Sequence, residues 1–166
     1  TAECWQAAVL ADATPSIIAL TRQSVPNIRT EPNAENLSAR GAYVLKEADD
    51  ERDVTLVATG SEVGLAVAAA EQLKAKSVDA AVVSMPSMEI FRTEDQTYQA
   101  TVLGSAPRIF VEAGVGACWR EWMRADDRFL GLSGFGASAP AAALFEHFGL
   151  TPEKVVAAAL ESTGKK

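Results

Sequence analysis

Apolar positions along this chain fall into two patterns. Short continuous runs, Ile17-Ile18-Ala19-Leu20, Val54–Thr59, Ala80–Ser84 and Ile109-Phe110-Val111, end at glycine, proline or polar residues. Runs of this kind suit strands covered on both faces, as in a parallel sheet. Ala42-Tyr43-Val44-Leu45 and Phe129–Leu132 are weaker versions. The second pattern has helical spacing. Cys4, Trp5, Ala8 and Val9 make one stripe within Thr1–Ala11, and Val63, Ala66, Val67, Ala70 and Leu73 make another after a turn at Gly60, with Ser61 as the expected N-cap. Helices are also expected over Glu94–Leu103, over the stretch carrying Trp119 and Trp122, and over Pro140–Phe148 and Pro152–Ser162. The last two carry proline in the first turn, where its missing N–H costs nothing. Strand, helix and strand within Val54–Ser84 form a βαβ unit, which implies parallel strands and a right-handed crossover.

The pattern also divides the chain. Asp12-Ala13-Thr14-Pro15 breaks the first helix. Ser24–Arg40 is polar, contains Pro26 and Pro32, and shows no sustained period, so it reads as a linker. Residues 41–166 hold a complete α/β alternation and are expected to fold as one α/β domain. Residues 1–23 supply one helix and one apolar strand, too little to cover a sheet strand. An uncovered apolar edge is an aggregation hazard. They are therefore expected to be the last elements of another α/β domain, and the chain the C-terminal piece of a longer protein. The competing arrangement adds Ile17–Leu20 to the second sheet.

Composition narrows the function. The 166 residues are 48% hydrophobic with a formal net charge of −7, enough apolar content for a core. That acidity argues against nucleic acid, which needs a basic footprint. No run reaches the roughly 18–20 apolar residues of a membrane span, and no signal-peptide pattern opens the chain. Cys4 and Cys118 have apolar neighbours and read as buried and reduced, which fits a cytoplasmic chain. With one histidine and no cysteine pair at ligand spacing, zinc is not expected.

Few residues carry chemistry. His147 reads as a partly buried residue near a helix C-terminus, favoured there as a cation. Gly114-Val115-Gly116 resembles half of a dinucleotide fingerprint, but Trp119 stands where a third glycine would pack, and a tight turn is the better reading. Gly60-Ser61-Glu62 offers a strand-to-helix turn whose Glu62 would repel phosphate. Gly134 and Gly136 permit unusual backbone angles, with Phe135 expected on the core and Ser138 expected to cap the next helix. Arg22 lies just past the carboxyl end of an apolar run, where open α/β sheets place ligands. A guanidinium there can grip phosphate or carboxylate with two N–H groups; spacing alone favours an exposed structural arginine.

Ala19-Leu20-Thr21-Arg22-Gln23, Gly41-Ala42-Tyr43-Val44-Leu45, Ala58-Thr59-Gly60-Ser61-Glu62-Val63, Val83-Ser84-Met85-Pro86-Ser87, Val111-Glu112-Ala113-Gly114 and Phe135-Gly136-Ala137-Ser138-Ala139-Pro140 together resemble the C-terminal part of the transketolase family, in the family's order and over nearly the whole chain. The resemblance implies a transferase of the pentose phosphate pathway that moves a two-carbon ketol unit between ketose and aldose phosphates. It implies thiamine diphosphate with magnesium or calcium in the full-length enzyme, and a homodimer. Residues 1–23 would then close the pyrimidine-binding domain, 24–40 would link, and 41–166 would be the C-terminal domain, a three-layer α/β fold with a mostly parallel mixed sheet and helices on both faces. Arg22 matches the family arginine that binds the sugar phosphate. The cofactor ligands, the activating glutamate and the substrate histidines of the family have no counterpart here. The isolated chain is therefore expected to hold no cofactor, to be inactive, and to act by packing against the remaining domains and a second subunit. An alternative is a nucleotide- or effector-binding regulatory domain using the Gly114–Gly116 turn. A third reading is a purely structural module with Trp119, Trp122 and Phe135 buried.

Overall fold

Five of the apolar runs become one sheet. The computed structural model describes residues 1–30 and 35–165. The linker residues 31–34 and the last residue of the expected Gly164-Lys165-Lys166 tail lie outside the described residues. The strands are β1 (Tyr43–Lys46), β2 (Val54–Ala58), β3 (Ala80–Ser84), β4 (Arg108–Val115) and β5 (Arg128–Leu132), in the order β1-β3-β2-β4-β5. β1 runs antiparallel to β3 at one edge, and every other pairing is parallel. The helices are α1 (Ala2–Leu10), α2 (Val63–Lys74), α3 (Met88–Thr93), α4 (Gln96–Leu103), α5 (Ala141–His147) and α6 (Pro152–Thr163).

The strands are covered on both faces because their side chains alternate. Val54, Leu56, Ala58, Val82, Ile109 and Val111 face α2 and α6, meeting Ala66, Ala70, Leu73, Val155 and Ala159. Val57, Val83 and Phe110 point the other way, onto Phe91, Val102, Trp119 and Trp122. Each fully buried valine, leucine, isoleucine or phenylalanine among them contributes about 1.5–3 kcal/mol. This is the three-layer α/β architecture that the family resemblance implied, and its doubly covered strands are those the apolar runs predicted.

Gly41 joins the linker region to β1. Its φ is +78°, and a Cβ there would stand 2.2 Å from the Phe91 amide nitrogen and 2.5 Å from the Ser87 carbonyl oxygen. Only glycine combines that left-handed backbone with so close an approach.

Several expectations need correction. Ile17–Leu20 has no regular secondary structure and pairs with no strand among the described residues. It is neither a strand of its own nor a sixth strand of the sheet. Ser61 does not cap α2: residues Gly60–Glu62 form a 3-10 turn, and Glu62 occupies the cap position without a side-chain cap bond. Helix α3 was not expected, although Ser87 Oγ accepts a bond from the Ile90 amide at its start. Trp119 and Trp122 lie in a succession of turns rather than a helix. Trp119 is locked there because its indole N–H reaches back to the Glu112 carboxylate at 2.5 Å. Pro140, not Ser138, precedes α5, and no side chain caps it. Phe135 is fully exposed instead of seated on the core. Cys118 is exposed and Cys4 half-buried, since neither stands on a face turned to the core.

Candidate functional site

The chain leaves β2 toward β3 on one side and later returns to place β4 on the other side. In open α/β sheets this reversal leaves a crevice at the carboxyl ends of the two strands, and ligands bind there. In this protein that edge forms one wall of a cleft of about 1920 Å³. Thr59, Glu62, Ser84 and Glu112 line it from the sheet, and much of the segment between Thr1 and Arg29 lines it as well.

The sheet side is acidic. Glu62 is buried and accepts a hydrogen bond from Ser61 Oγ at 2.6 Å. Glu112 is held by Trp119. The cations come from the first segment. Arg22 lines the cleft, is exposed, and makes no hydrogen bond or ion pair among the described residues. Its neighbours Thr21 and Gln23 bond to each other through Thr21 Oγ1 and Gln23 Oε1. Arg29 also lines the cleft but is committed. Its Nη1 and Nη2 donate to the two oxygens of Glu3 at 2.9 and 2.8 Å, and its guanidinium stands 5.4 Å from the centre of the Tyr43 ring.

Glu3 is the centre of a polar clamp that the sequence reading did not single out. Besides Arg29, its carboxylate accepts from the Ser38 amide at 3.0 Å and from Ser38 Oγ at 2.8 Å. Asn36 Nδ2 donates to the Glu3 main-chain oxygen at 3.0 Å and to Gln6 Oε1 at 2.8 Å. The Arg29 guanidinium, helped by Ser38 and opposed by partial burial, holds the Glu3 carboxyl down at about 2. The one available signal was a lone acid in the first turn of a mostly apolar helix. It did not reveal a partner 26 residues away.

The other candidates fall apart. Gly114 and Val115 belong to β4, and a Cβ on Gly116 would meet the Phe129 ring at 2.8 Å. That glycine serves packing, and no helix follows it to present amides to a phosphate. His147 closes α5, exposed, edge-on to Phe148 at 4.8 Å; it stands alone as the sequence suggested, though less buried. The cleft's chemistry does not fit a diphosphate cofactor with its metal. Arg22 is the one uncommitted lysine or arginine among the described lining residues, in a cleft lined also by Glu62 and Glu112. No three His, Cys, Asp or Glu side chains converge among the described residues.

Residues 41–151 match the model of the transketolase-like TK C-terminal domain. The transketolase of Sinorhizobium medicae is 54% identical over 162 residues, covering 97% of this chain and 23% of that protein. A transketolase mutant from Pichia stipitis, solved in complex with fructose-6-phosphate, superposes with a TM-score of 0.87 at 34% identity, covering 98% of this chain and 23% of its own. A split-gene transketolase described as an inactive beta4 tetramer superposes at 0.65 with 28% identity, over 87% of this chain and 48% of that one. The chain spans about a quarter of the length of the curated relatives it matches.

Proposed function

We propose that this chain, which belongs to the transketolase family, supplies a whole transketolase with one substrate-holding arginine and a packing platform. In this reading the enzyme transfers a two-carbon ketol unit between ketose and aldose phosphates in the pentose phosphate pathway, in the cytoplasm, as a homodimer. Thiamine diphosphate and its metal supply the carbanion chemistry from elsewhere in the enzyme. Residues 1–23 end the preceding domain, 24–40 link, and 41–166 form the C-terminal domain.

Arg22 is the phosphate holder. The observation that carries this is its lack of a partner. Arg29, Arg40, Arg52, Arg92, Arg124 and Arg128 each bond a carboxylate, and Arg108 bonds two carbonyls. The guanidinium groups of Arg22 and Arg120 engage no partner among the described residues, and of these two Arg22 lines the cleft. A free guanidinium meets a phosphate with two parallel N–H groups. The name of the beta4 tetramer, inactive by its own description, supports the further reading that this stretch alone transfers nothing and associates with copies of itself.

Two measurements test the proposal. In a whole transketolase carrying this region, Arg22→Ala should raise KM for phosphorylated sugars by about tenfold or more while kcat changes less, because a remote phosphate contact supplies mainly uniform binding. An unchanged KM removes the assignment. Calorimetric titration of the isolated chain with thiamine diphosphate and magnesium should show no stoichiometric binding; tight binding would refute its incompetence.

A further inference from the structure

Among the described acids that line the cleft, only Glu62 is buried, at 5% exposure. Burial strips water from a carboxylate, and a charge so placed is ordinarily paired. Glu62 is half-satisfied. Its Oε1 accepts from the Ser61 hydroxyl at 2.6 Å, and its Oε2 accepts nothing among the described residues. Its side chain does not turn back to cap α2, although it stands at the start of that helix. The positive helix end eases the charge but leaves Oε2 without a donor.

The chain has no cation to spare for it in the cleft. Arg29 and Arg22 are the two that line it among the described residues. Arg29 is taken by Glu3, and the proposed function assigns Arg22 to the sugar phosphate. Polypeptide does arrive beside Glu62. Pro26 Cγ stands 3.4 Å from where Gly64, two residues further on, would carry a Cβ, and much of the segment between Thr1 and Arg29 lines the same cleft. Glu112 lines it too, so the local field favours a cation over a neutral donor. We infer that Glu62 is an interdomain acceptor: its free oxygen takes the N–H groups of an arginine or lysine from the domain that residues 1–23 end. The inference rests on that reading of residues 1–23 and adds the chemistry of the contact.

The test compares a whole transketolase carrying this region with the 166-residue chain. The readout is hydrogen exchange of amides 60–67, corrected for intrinsic rates. Glu62→Gln keeps the shape and the Ser61 bond and loses the charge. In the whole enzyme it should speed that exchange by about tenfold or more, the loss of a charged hydrogen bond away from water. In the 166-residue chain the change should stay within about threefold, because no cation is lost there. Should the glutamine enzyme fail to assemble, Glu62→Asp keeps the charge, withdraws it by one methylene, and should give about threefold in the whole enzyme only. Equal acceleration in both proteins makes Glu62 a structural residue of its own domain and overturns the inference, as does no acceleration in either. Acceleration by Glu62→Ala but not by Glu62→Gln means a neutral donor and overturns it too. So does acceleration of the same amides by Arg22→Ala, which would make Arg22 the partner. A wild-type enzyme that loosens equally when sodium and potassium are replaced by tetramethylammonium has an inorganic cation there instead. An unchanged KM for Arg22→Ala, with the exchange pattern as expected, removes the phosphate assignment and leaves the interdomain contact standing.

Discussion

In the sheet domain, β2 and β3 bury every residue, and Phe91, Phe110 and Trp119 are sealed from solvent. In the first 30 residues, Trp5 is 55% exposed, Val9 76% and Ile17 96%, and helix α1 has no buried residue. The first region is held by apolar area on two faces of a sheet. The second rests on a few hydrogen bonds around Glu3 and on the contacts of Pro26 and Ile28. Burial resists local opening throughout a packed unit, whereas a polar clamp yields when a single member is removed. The two regions should therefore respond oppositely to the same classes of perturbation.

The largest effect belongs to the core. Phe110→Ala removes a ring packed between Val57 and Trp119, whose centroid lies 5.2 Å away. It should cost about 3–5 kcal/mol of global stability, the usual range for emptying an aromatic site. Urea unfolding followed by far-UV circular dichroism checks this; a loss below about 1 kcal/mol would mean that the ring is not a core member. Gly41→Ala should follow at about 2–4 kcal/mol, combining a positive φ with a collision against the Phe91 amide and Ser87 carbonyl.

Glu3→Ala should behave differently. Global stability should shift by less than about 1 kcal/mol, because the sheet loses nothing. Hydrogen exchange in α1 should accelerate by about tenfold or more, since Arg29, Ser38 and Asn36 lose their common acceptor. Equal acceleration throughout β2 and β3 would show that the clamp and the core are one cooperative unit.

Acid should release the clamp in the same way. Glu3 titrates at about 2 when docked, against 4.5 ordinarily, because Arg29 and Ser38 favour its charged form. A depressed carboxyl contributes its full share above the ordinary value and loses it as pH falls through the folded one. Docking of α1 should thus weaken progressively between pH 4.5 and about 2. In the domain, burial pushes Asp127 up, but Arg124 and the backbone amides of Arg124 and Arg108 outweigh it and leave it below the ordinary range. Glu3→Gln separates the two: its α1 exchange should be flat across that window while the domain still softens.

The sheet was legible because strands covered on both faces write themselves as continuous apolar runs, and β3 was found at its observed ends, Ala80–Ser84. Ile17–Leu20 is the same signal with a different outcome. An apolar run states that a segment is suited to burial, not that a partner stands beside it, and among the described residues none does. Helix α3 was missed because Met88–Thr93 is too short to show a period, though Ser87 marked its start. The Trp119–Trp122 spacing read as helical because three residues separate them; turns place two rings on one side equally well. For the proposed site, Arg22 drew notice by its place after the apolar run, but spacing alone favoured an exposed structural arginine, and only the wording of whole motifs pointed to a phosphate. Nothing local distinguished Glu3, because a clamp joining residues 3, 29 and 38 is a fact of tertiary structure.

The smallest expected effect sharpens the contrast most. Ile17 is 96% exposed, so Ile17→Ser removes no buried area in this chain and should change its stability by less than about 0.5 kcal/mol. The same substitution at Leu56, fully buried on β2, loses a core contact and should cost about 2–5 kcal/mol. Unfolding should be followed at two protein concentrations tenfold apart. A loss for Ile17→Ser above about 1.5 kcal/mol that grows with concentration would mean that a second copy covers the segment, since association stabilises by mass action. A loss of that size independent of concentration would mean that the first 30 residues fold back onto the domain more tightly than a polar clamp allows. A null effect leaves residue 17 as an apolar side chain whose burial, if it occurs, needs polypeptide other than the sheet domain of residues 41–163.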